Sequence, residues 1–278
     1  MKNTTSIQTL RVLAGCALVA LGSSAFAAST WTYTGGPGTG ACASTAASGL
    51  SMGNVLGCGT IGGVTMDATA FSTSNGTGST TGTTFAAAAV YNWSSGLGAV
   101  NAYESASATG PHATDNRYGT DAILLHFSSP VSLTDVGIGW SGTSHQVSGN
   151  FQDSDFSVLA YQGVGTGAAT VLGKTLDGVA ATSTLLSSGW AAVGNYASLP
   201  DNSNATVVSS IYSSYWLISA YNTAFGTGGG LGVGNDYFKL ASVSATKQTQ
   251  VPEPTSIALL GLGLIGMVAS RRRSQKTV

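Results

Sequence analysis

Short apolar runs separated by clusters of Gly, Asn, Asp and Ser recur along residues 28–250 of the chain. Runs of this length with turn-forming residues at both ends are typical of β-strands. The same residues contain no stretch with the sustained 3.6-residue apolar period of a capped helix. The pattern therefore predicts an all-β body, arranged as a β-sandwich or jelly roll. The predicted strands are Phe85–Tyr91, Ala99–Tyr103, Ala122–Phe127, Val131–Trp140, Phe156–Tyr161, Thr170–Gly173, Trp190–Val193, Val207–Tyr212, Tyr215–Tyr221 and Tyr237–Ala245.

The alternation within the run Val131–Trp140 changes face part-way along. Its apolar positions are odd-numbered up to Leu133 and even-numbered from Val136 onwards. A regular strand has a side-chain period of two, so it cannot bury both sets on one face. One extra residue restores the alternation, and the sequence therefore predicts a β-bulge at Thr134-Asp135. Ser129-Pro130, which precedes the run, is predicted to make a tight connection from the preceding strand.

The run Ala122–Phe127 is almost entirely apolar, which is typical of a strand that is buried on both faces. Alternation places Ile123, Leu125 and Phe127 on one of these faces. The sequence therefore predicts that this run is a central strand of the sheet. His126, which alternates within it, is predicted to be a core residue whose hydrogen bonds are satisfied.

The first 27 residues have the three parts of a secretory signal peptide. Lys2 and Arg11 supply the positive charge, residues 12–22 form the apolar region, and Ala25-Phe26-Ala27 is a cleavage site with small residues at both key positions. We therefore expect export by the Sec machinery and removal of residues 1–27 by signal peptidase after Ala27. The apolar region is shorter than the roughly 20 residues that a spanning helix needs, which disfavours a retained anchor.

Charge is scarce in the body that remains, residues 28–250. It has four Lys or Arg residues and ten Asp or Glu residues, which gives a net charge of −6. The other six cationic residues lie in the two terminal segments. An acidic surface with few cations excludes nucleic acid as a partner, because phosphate groups are bound by Lys and Arg.

Two cysteines remain in the body after Cys16 leaves with the signal peptide. Cys42 and Cys58 form an even pair in an oxidising compartment, so the sequence predicts a disulfide between them. A bond that closes a loop of about 15 residues is expected to stabilise the fold by about 3 kcal/mol.

Residues 251–278 form a tail with three parts. The motif Val251-Pro252-Glu253-Pro254 is held extended by its two prolines. An uncharged apolar segment follows, and it predicts a short transmembrane helix over residues 255–270. Arg271, Arg272 and Arg273 then hold the far end in the cytoplasm, which places the body on the other side of the membrane.

This tail closely resembles the PEP-CTERM sorting signal of Gram-negative bacteria. The resemblance implies that the membrane protease exosortase recognises the motif and cleaves near it. The protein is then an inner-membrane-tethered precursor that passes to the cell surface or the extracellular matrix. The open alternative is a permanent single-pass anchor, which the three arginines would orient in the same way.

The body carries a second resemblance, to exosortase-dependent surface proteins of the XDP1 type. It rests on four segments, His112–Asn116, Asp121–Phe127, Val136–Trp140 and Asp153–Val158. The resemblance implies similar strands behind a similar tail, and it brings no catalytic residues with it.

Four aspartates at predicted strand ends are candidate ligands for calcium. Asp115 and Asp121 form one group, and Asp153 and Asp155 form another. Calcium takes six to eight oxygen ligands in flexible geometry, which loops of this kind can supply. The alternative is that these residues form turns by accepting hydrogen bonds from their own backbone.

Several aromatic residues could form the flat surfaces on which sugar rings stack. The candidates are Trp93, Trp140, Trp190, Tyr103 and Tyr118. The alternative for each is packing in the core or at a sheet edge.

No catalytic constellation stands out in the body, and we predict that the protein is not an enzyme. Gly49-Leu50-Ser51-Met52-Gly53 matches the nucleophile pattern G-x-S-x-G, but it lacks the flanking strand and helix that this pattern requires. The predicted function is therefore a non-catalytic secreted surface or matrix protein. The alternatives are a carbohydrate-binding module or adhesin of the exopolysaccharide layer, and a secreted hydrolase.

Overall fold

The computed structural model describes residues 28–36, 42, 51–74, 83–104, 112–147, 150–167, 170–176, 183–248 and 261–267. Three predicted features lie outside these ranges. They are the signal peptide with its cleavage residues Ala25 and Ala27, the motif Val251-Pro252-Glu253-Pro254, and the basic residues Arg271-Arg272-Arg273.

The described residues form fourteen strands and very little helix. The strands are β1 (Ser29–Thr32), β2 (Leu56–Ile61), β3 (Val64–Ser72), β4 (Ala86–Trp93), β5 (Gly96–Val100), β6 (Thr114–Asp115), β7 (Asp121–Ser141), β8 (Gln146–Val147), β9 (Asn150–Phe151), β10 (Phe156–Tyr161), β11 (Trp190–Tyr196), β12 (Ser203–Thr206), β13 (Ser213–Ala220) and β14 (Tyr237–Lys247). The helical pieces are α1 (Thr184–Ser187), a 3-10 turn (Thr223–Phe225) and residues 261–267.

The predicted all-β class is confirmed, but the arrangement is not a sandwich or a jelly roll of two stacked sheets. Five strands follow the order β14-β5-β4-β3-β7, and the pairing of β7 with β14 closes them into a barrel. Strands β13, β10 and β11 extend the sheet beyond β7. The barrel closes because β7 is long enough to pair with β3 along its first part and with β14 along its second.

The predicted break at Ser129-Pro130 is wrong, since β7 runs without interruption from Asp121 to Ser141. Proline lacks a backbone donor, but its carbonyl can still accept, and Pro130 O accepts a hydrogen bond from Gln248 N at 3.0 Å. The next residue, Val131, pairs with Ser213 and with Lys247 on two different strands. Neighbours in the sheet therefore hold the chain extended at a position where local turn chemistry favours a bend.

The predicted bulge at Thr134-Asp135 is confirmed. Asp135 pairs with Ser244 and Leu133 with Ala245, so Thr134 has no counterpart in β14. As a result Leu133 and Val136 are both buried in the same hydrophobic core, although they lie three positions apart. The extra residue thus keeps both halves of the apolar pattern inside the barrel.

The sheet is covered on both faces along its central strands. Ile123, Leu125 and Phe127 lie in the main core, which fills the barrel, as the alternation predicts. Leu124 lies in a second core, where it is joined by Leu185 of α1 and other buried residues. The prediction of a central strand over these residues is confirmed.

Two predicted strands are absent. Residues 170–173 form a turn that buries Val171 in the second core. Residues 207–212 have no regular structure, and the strand in this region is β12, directly before them. In each place one apolar residue is buried, Val171 in the second core and Val207 in the main core, whereas Leu172 and Val208 are exposed. A short apolar run alone cannot distinguish such a loop from a strand.

Cys42 and Cys58 form the predicted disulfide, and both residues are fully buried. Asn92 Nδ2 on β4 donates to Cys42 O at 2.8 Å. The bond therefore joins the segment at Cys42 to β2, and the amide of Asn92 fixes the same segment to the barrel wall.

Among the described residues, no helix has both the length and the apolar character needed to cross a bilayer. The helical residues 261–267 lie within the predicted span 255–270, and the remainder of that span is outside the described ranges.

Barrel closure leaves no room for a side chain at Gly139 on β7. A Cβ there would lie 2.0 Å from Ser95 O and 3.0 Å from the Ala241 side chain. We expect Gly139→Ala to destabilise the fold by about 1–3 kcal/mol, because overpacking forces neighbouring backbone apart. Gly229→Ala is the control, since nothing lies within 4 Å of its added Cβ, and it should change stability by less than about 0.5 kcal/mol. Urea unfolding measures both, and equal stabilities would contradict the prediction.

Candidate functional site

Six of the ten carboxylates in the body gather in two groups. The first cluster is Glu104, Asp115 and Asp121, and the second cluster is Asp153, Asp155 and Asp236. Within each cluster one carboxylate oxygen per residue lies within 4.8 Å of the others. The expectation of an acidic surface therefore needs correction, because much of the negative charge of the body lies inside it.

The first cluster lies where three elements meet. Glu104 follows β5, Asp115 belongs to β6, and Asp121 is the first residue of β7. Asp115 and Asp121 are fully buried, and Glu104 is 4 % exposed. Burial of this kind is rare for carboxylates unless a partner compensates for the lost hydration.

Hydrogen bonds to the first cluster are mostly long. Asn101 Nδ2 and Asp115 N each donate to Asp121 at 3.5 Å, and Asn101 N donates to Glu104 at 3.4 Å. The one short backbone bond runs from Arg117 N to Asp115 Oδ1 at 2.9 Å. The other oxygen, Asp115 Oδ2, is buried and has no hydrogen-bond partner.

Burial raises the pKa of every member of the first cluster. The pKa of Glu104 rises to about 7, although bonds from Asn101 and the charge of Arg117 oppose the rise. The pKa values of Asp115 and Asp121 are raised well above the ordinary range by burial and by the neighbouring negative charge of Glu104. Protons or a cation must therefore offset the negative charge of this cluster near neutral pH.

The second cluster has a full set of hydrogen-bond donors. Asp155 accepts from Ser198 N at 2.8 Å and from Gly232 N at 2.7 Å. Asp236 Oδ1 accepts from Asp155 N at 3.0 Å, and Asp236 Oδ2 accepts from Asn116 Nδ2. These bonds tie together four separate segments, including the Gly-rich loop before β14.

Asp153 completes this arrangement. Its Oδ1 accepts from Ser154 N at 2.8 Å and from Ser198 Oγ at 2.7 Å. Its backbone also forms a bridge with Asp236. The turn-forming alternative therefore describes only the bond from Ser154 N to Asp153, because Asp155 and Asp236 accept from backbone that is distant in sequence.

The four aspartates proposed as calcium ligands therefore separate as their sequence spacing suggests. Asp115 lies with Asp121, and Asp153 lies with Asp155. Calcium binding itself stays a prediction for these residues. Sequence reasoning missed Glu104 and Asp236, one in each cluster. Glu104 is the one Glu between residues 28 and 250, and this rarity could have drawn attention to it.

The candidate tryptophans are engaged within the protein. Lys239 Nζ lies 5.1 Å from the ring centre of Trp93 and 5.3 Å from that of Trp140. The same two rings stack on His112 and His145, respectively. Trp190 is buried in the second core. Packing thus removes Trp190 from the candidates, whereas Trp93, Trp140, Tyr103 and Tyr118 are partly exposed. Tyr103 and Tyr118 contact each other.

His126 is not the buried residue that its strand position predicts. Its side chain is 44 % exposed, stacks on Tyr215 and lies 3.8 Å from Asp67. Neighbours along this strand are covered on both faces, but the second core ends before reaching His126.

Of the G-x-S-x-G pattern, the described residues 51–53 form a turn, and Gly49-Leu50 lies outside the described ranges.

Residues 250–273 match a family model described as a PEP-CTERM protein-sorting motif. The chain is a PEP-CTERM protein. The match spans the Pro-Glu-Pro motif, the apolar segment and the three arginines, which are the parts on which the resemblance of the tail rests. A search of curated proteins finds no match to the chain.

The sorting motif supports exosortase-dependent processing at the membrane, followed by display on the cell surface. It says nothing about residues 28–249. The finer resemblance of this PEP-CTERM protein to the XDP1 type therefore stays a prediction.

The second cluster predicts that stability falls as pH rises. Burial and the charge of Asp155 raise the pKa of Asp236 to about 8, and burial raises the pKa of Asp155 to about 6. Unfolded aspartates titrate near about 3.9, so between about pH 4 and pH 8 the folded protein holds protons that the unfolded chain has released. The free energy of unfolding should therefore decrease across this range, by about 1.4 kcal/mol for each tenfold difference in proton affinity.

Urea unfolding in EDTA at several pH values between about 5 and 8 measures this slope. Asp236→Asn should reduce this slope, and the part that remains is expected from the raised pKa values of the first cluster. Asp135→Asn, outside both clusters, is the matched control and should keep the full slope. A free energy of unfolding that increases towards pH 8 in the unaltered protein would contradict the assignment.

Proposed function

We propose that this PEP-CTERM protein is a non-catalytic component of the cell surface or extracellular matrix of a Gram-negative bacterium. The observation that carries the proposal is the sorting motif at residues 250–273 behind a β-barrel body. In this proposal the signal peptide directs export, the apolar tail tethers the folded body at the inner membrane, and exosortase cleaves near Pro252-Glu253-Pro254.

The environment of the ionisable residues supports a passive role for the body. Catalytic carboxylates and histidines must reach a substrate. Here six carboxylates lie in clusters that are largely buried or fully hydrogen-bonded. The three histidines each stack on an aromatic ring, although the side chains of His126 and His145 stay 44 % and 46 % exposed. Five of the six carboxylates, all except Asp153, are thus enclosed in the fold, and this burial supports the passive role.

A carbohydrate-binding module or adhesin is the second candidate. Tyr103 and Tyr118 support it, because their rings are partly exposed and lie 4.5 Å apart. Arg117 lies over the Tyr118 ring at 4.9 Å, so the pair combines an aromatic surface with a cation. Binding of purified polysaccharide that is lost in Tyr118→Ala would favour this candidate over a purely structural role.

Processing of the tail is the direct test of the main proposal. In a host with exosortase, intact mass of the mature protein should show that Arg271-Arg272-Arg273 has been lost. Replacement of Pro252-Glu253-Pro254 by three alanines should leave the tail in place, because the extended motif is then absent. Lys247→Ala, outside the matched residues, is the control and should be processed normally. Retention of the arginines in the unaltered protein would overturn the proposal.

A further inference from the structure

The two carboxylate clusters have the same size and different chemistry. Each brings three carboxylates within the same short range. In the second cluster, Asp155 and Asp236 accept backbone bonds of 2.7–3.0 Å. In the first cluster, the bonds from Asn101 and from Asp115 N are 3.4–3.5 Å long, and Ser72 provides a side-chain bond to Asp121. The carboxyl groups of Glu104 and Asp115 also hydrogen-bond to each other, which requires a proton on one of them. The first cluster is thus the less compensated one, although it is the more deeply buried.

Asp115 provides a second, separate indication of a ligand. Its side chain is fully buried, and Oδ1 is already bonded to Arg117 N. Oδ2 has no hydrogen-bond partner, so a buried acceptor of this carboxylate is left unused. A buried acceptor without a partner costs about 1–3 kcal/mol, and more where the group is charged. The nearby positive charge is that of Arg117, which acts on Glu104 and Asp115, while the ion pairs His126–Asp67 and His145–Asp201 involve other residues.

The three carboxylates are held by well-fixed backbone. Asp115 pairs with Tyr237 across β6 and β14, and Asp121 pairs with Ser72 across β7 and β3. The turn that carries Glu104 is fixed because Asn101 Oδ1 accepts from Glu104 N at 3.0 Å. Sites that bind ions tightly place their ligands on rigid elements in this way.

We propose that Glu104, Asp115 and Asp121 bind a calcium ion. The cluster offers only carboxylate oxygens, which suit hard divalent cations, whereas zinc sites generally use His and Cys. Three carboxylates can supply up to about six oxygens, in keeping with the high coordination number of calcium. Magnesium usually keeps several waters and demands strict octahedral geometry, which a tightly buried set of three carboxylates does not favour.

The bound ion has a structural consequence. It would join the end of β5, the short strand β6 and the start of β7, which are otherwise connected by weak bonds. The proposal goes beyond the proposed function and is independent of it, because it concerns the body and not the processing of the tail.

Terbium luminescence and thermal unfolding test the site on the full chain in detergent, after treatment with EDTA. Terbium should bind and emit by energy transfer from nearby tyrosines, with Tyr103 next to Glu104 in sequence. Calcium should displace it, and magnesium at the same concentration should not. Saturating calcium should raise the melting temperature by about 5 °C or more.

Glu104→Gln and Asp115→Asn should each weaken terbium and calcium binding at least tenfold, which is about 1.4 kcal/mol. Asp153→Asn is the matched control, because it removes one charge from the second cluster and can keep the bonds to Oδ1. It should bind both ions as the unaltered protein does.

Three outcomes would overturn the proposal. The first is a chain that neither binds terbium nor responds to calcium. The second is loss of binding in Asp153→Asn with binding retained in Glu104→Gln and Asp115→Asn. The third is stabilisation by magnesium equal to that by calcium. If one of the two first-cluster variants does not fold, the other variant still tests the site. The competition between terbium, calcium and magnesium on the unaltered protein tests it as well.

Discussion

The pairing of β7 with β14 is the interaction on which the rest of the structure depends. It turns an open sheet into a barrel, and it requires β7 to continue past Pro130 and to absorb one extra residue at Thr134. The bulge is therefore not a local irregularity. Without it, the residues after Asp135 would turn their apolar side chains outwards, and the second half of β7 could not face the barrel core. Closure also brings Gly139 against the turn between β4 and β5, where only a glycine fits.

A body with so few charged residues uses most of its carboxylates as internal connectors. Loops and short strands such as β6 bury little apolar surface, so hydrophobic packing alone holds them weakly. Carboxylates can accept several hydrogen bonds each, and in the second cluster they bind four segments that are distant in sequence. Burial makes the ionised form of these carboxylates unfavourable. The pKa values of Asp155 and Asp236 are raised for this reason.

The part of this fold that could be predicted from sequence is the part encoded in local alternation. The bulge at Thr134 and the faces of Ile123 and Leu125 follow from a period of two, which operates within one strand. Barrel closure could not be predicted, because it depends on which strands meet across a hundred residues of chain. Glu104 and Asp236 were missed for the same reason, because each meets its cluster only in the folded chain. Asp236, for example, bonds with Asp155 at a separation of 81 residues.

The pairing of β6 with β14 also brings the two clusters into contact. Asp115 of the first cluster pairs with Tyr237, and the next residue, Asn116, bonds with Asp236 of the second. The neighbouring residues Asp115 and Asn116 therefore link the first cluster to the second, through Tyr237 and Asp236. The link between the clusters is a hydrogen bond, because Asn116 beside Asp115 is the donor to Asp236 Oδ2. The two clusters at this end of the barrel thus share backbone and a hydrogen bond, whereas the charges that shift their pKa values lie within each cluster and, for the first, also on Arg117.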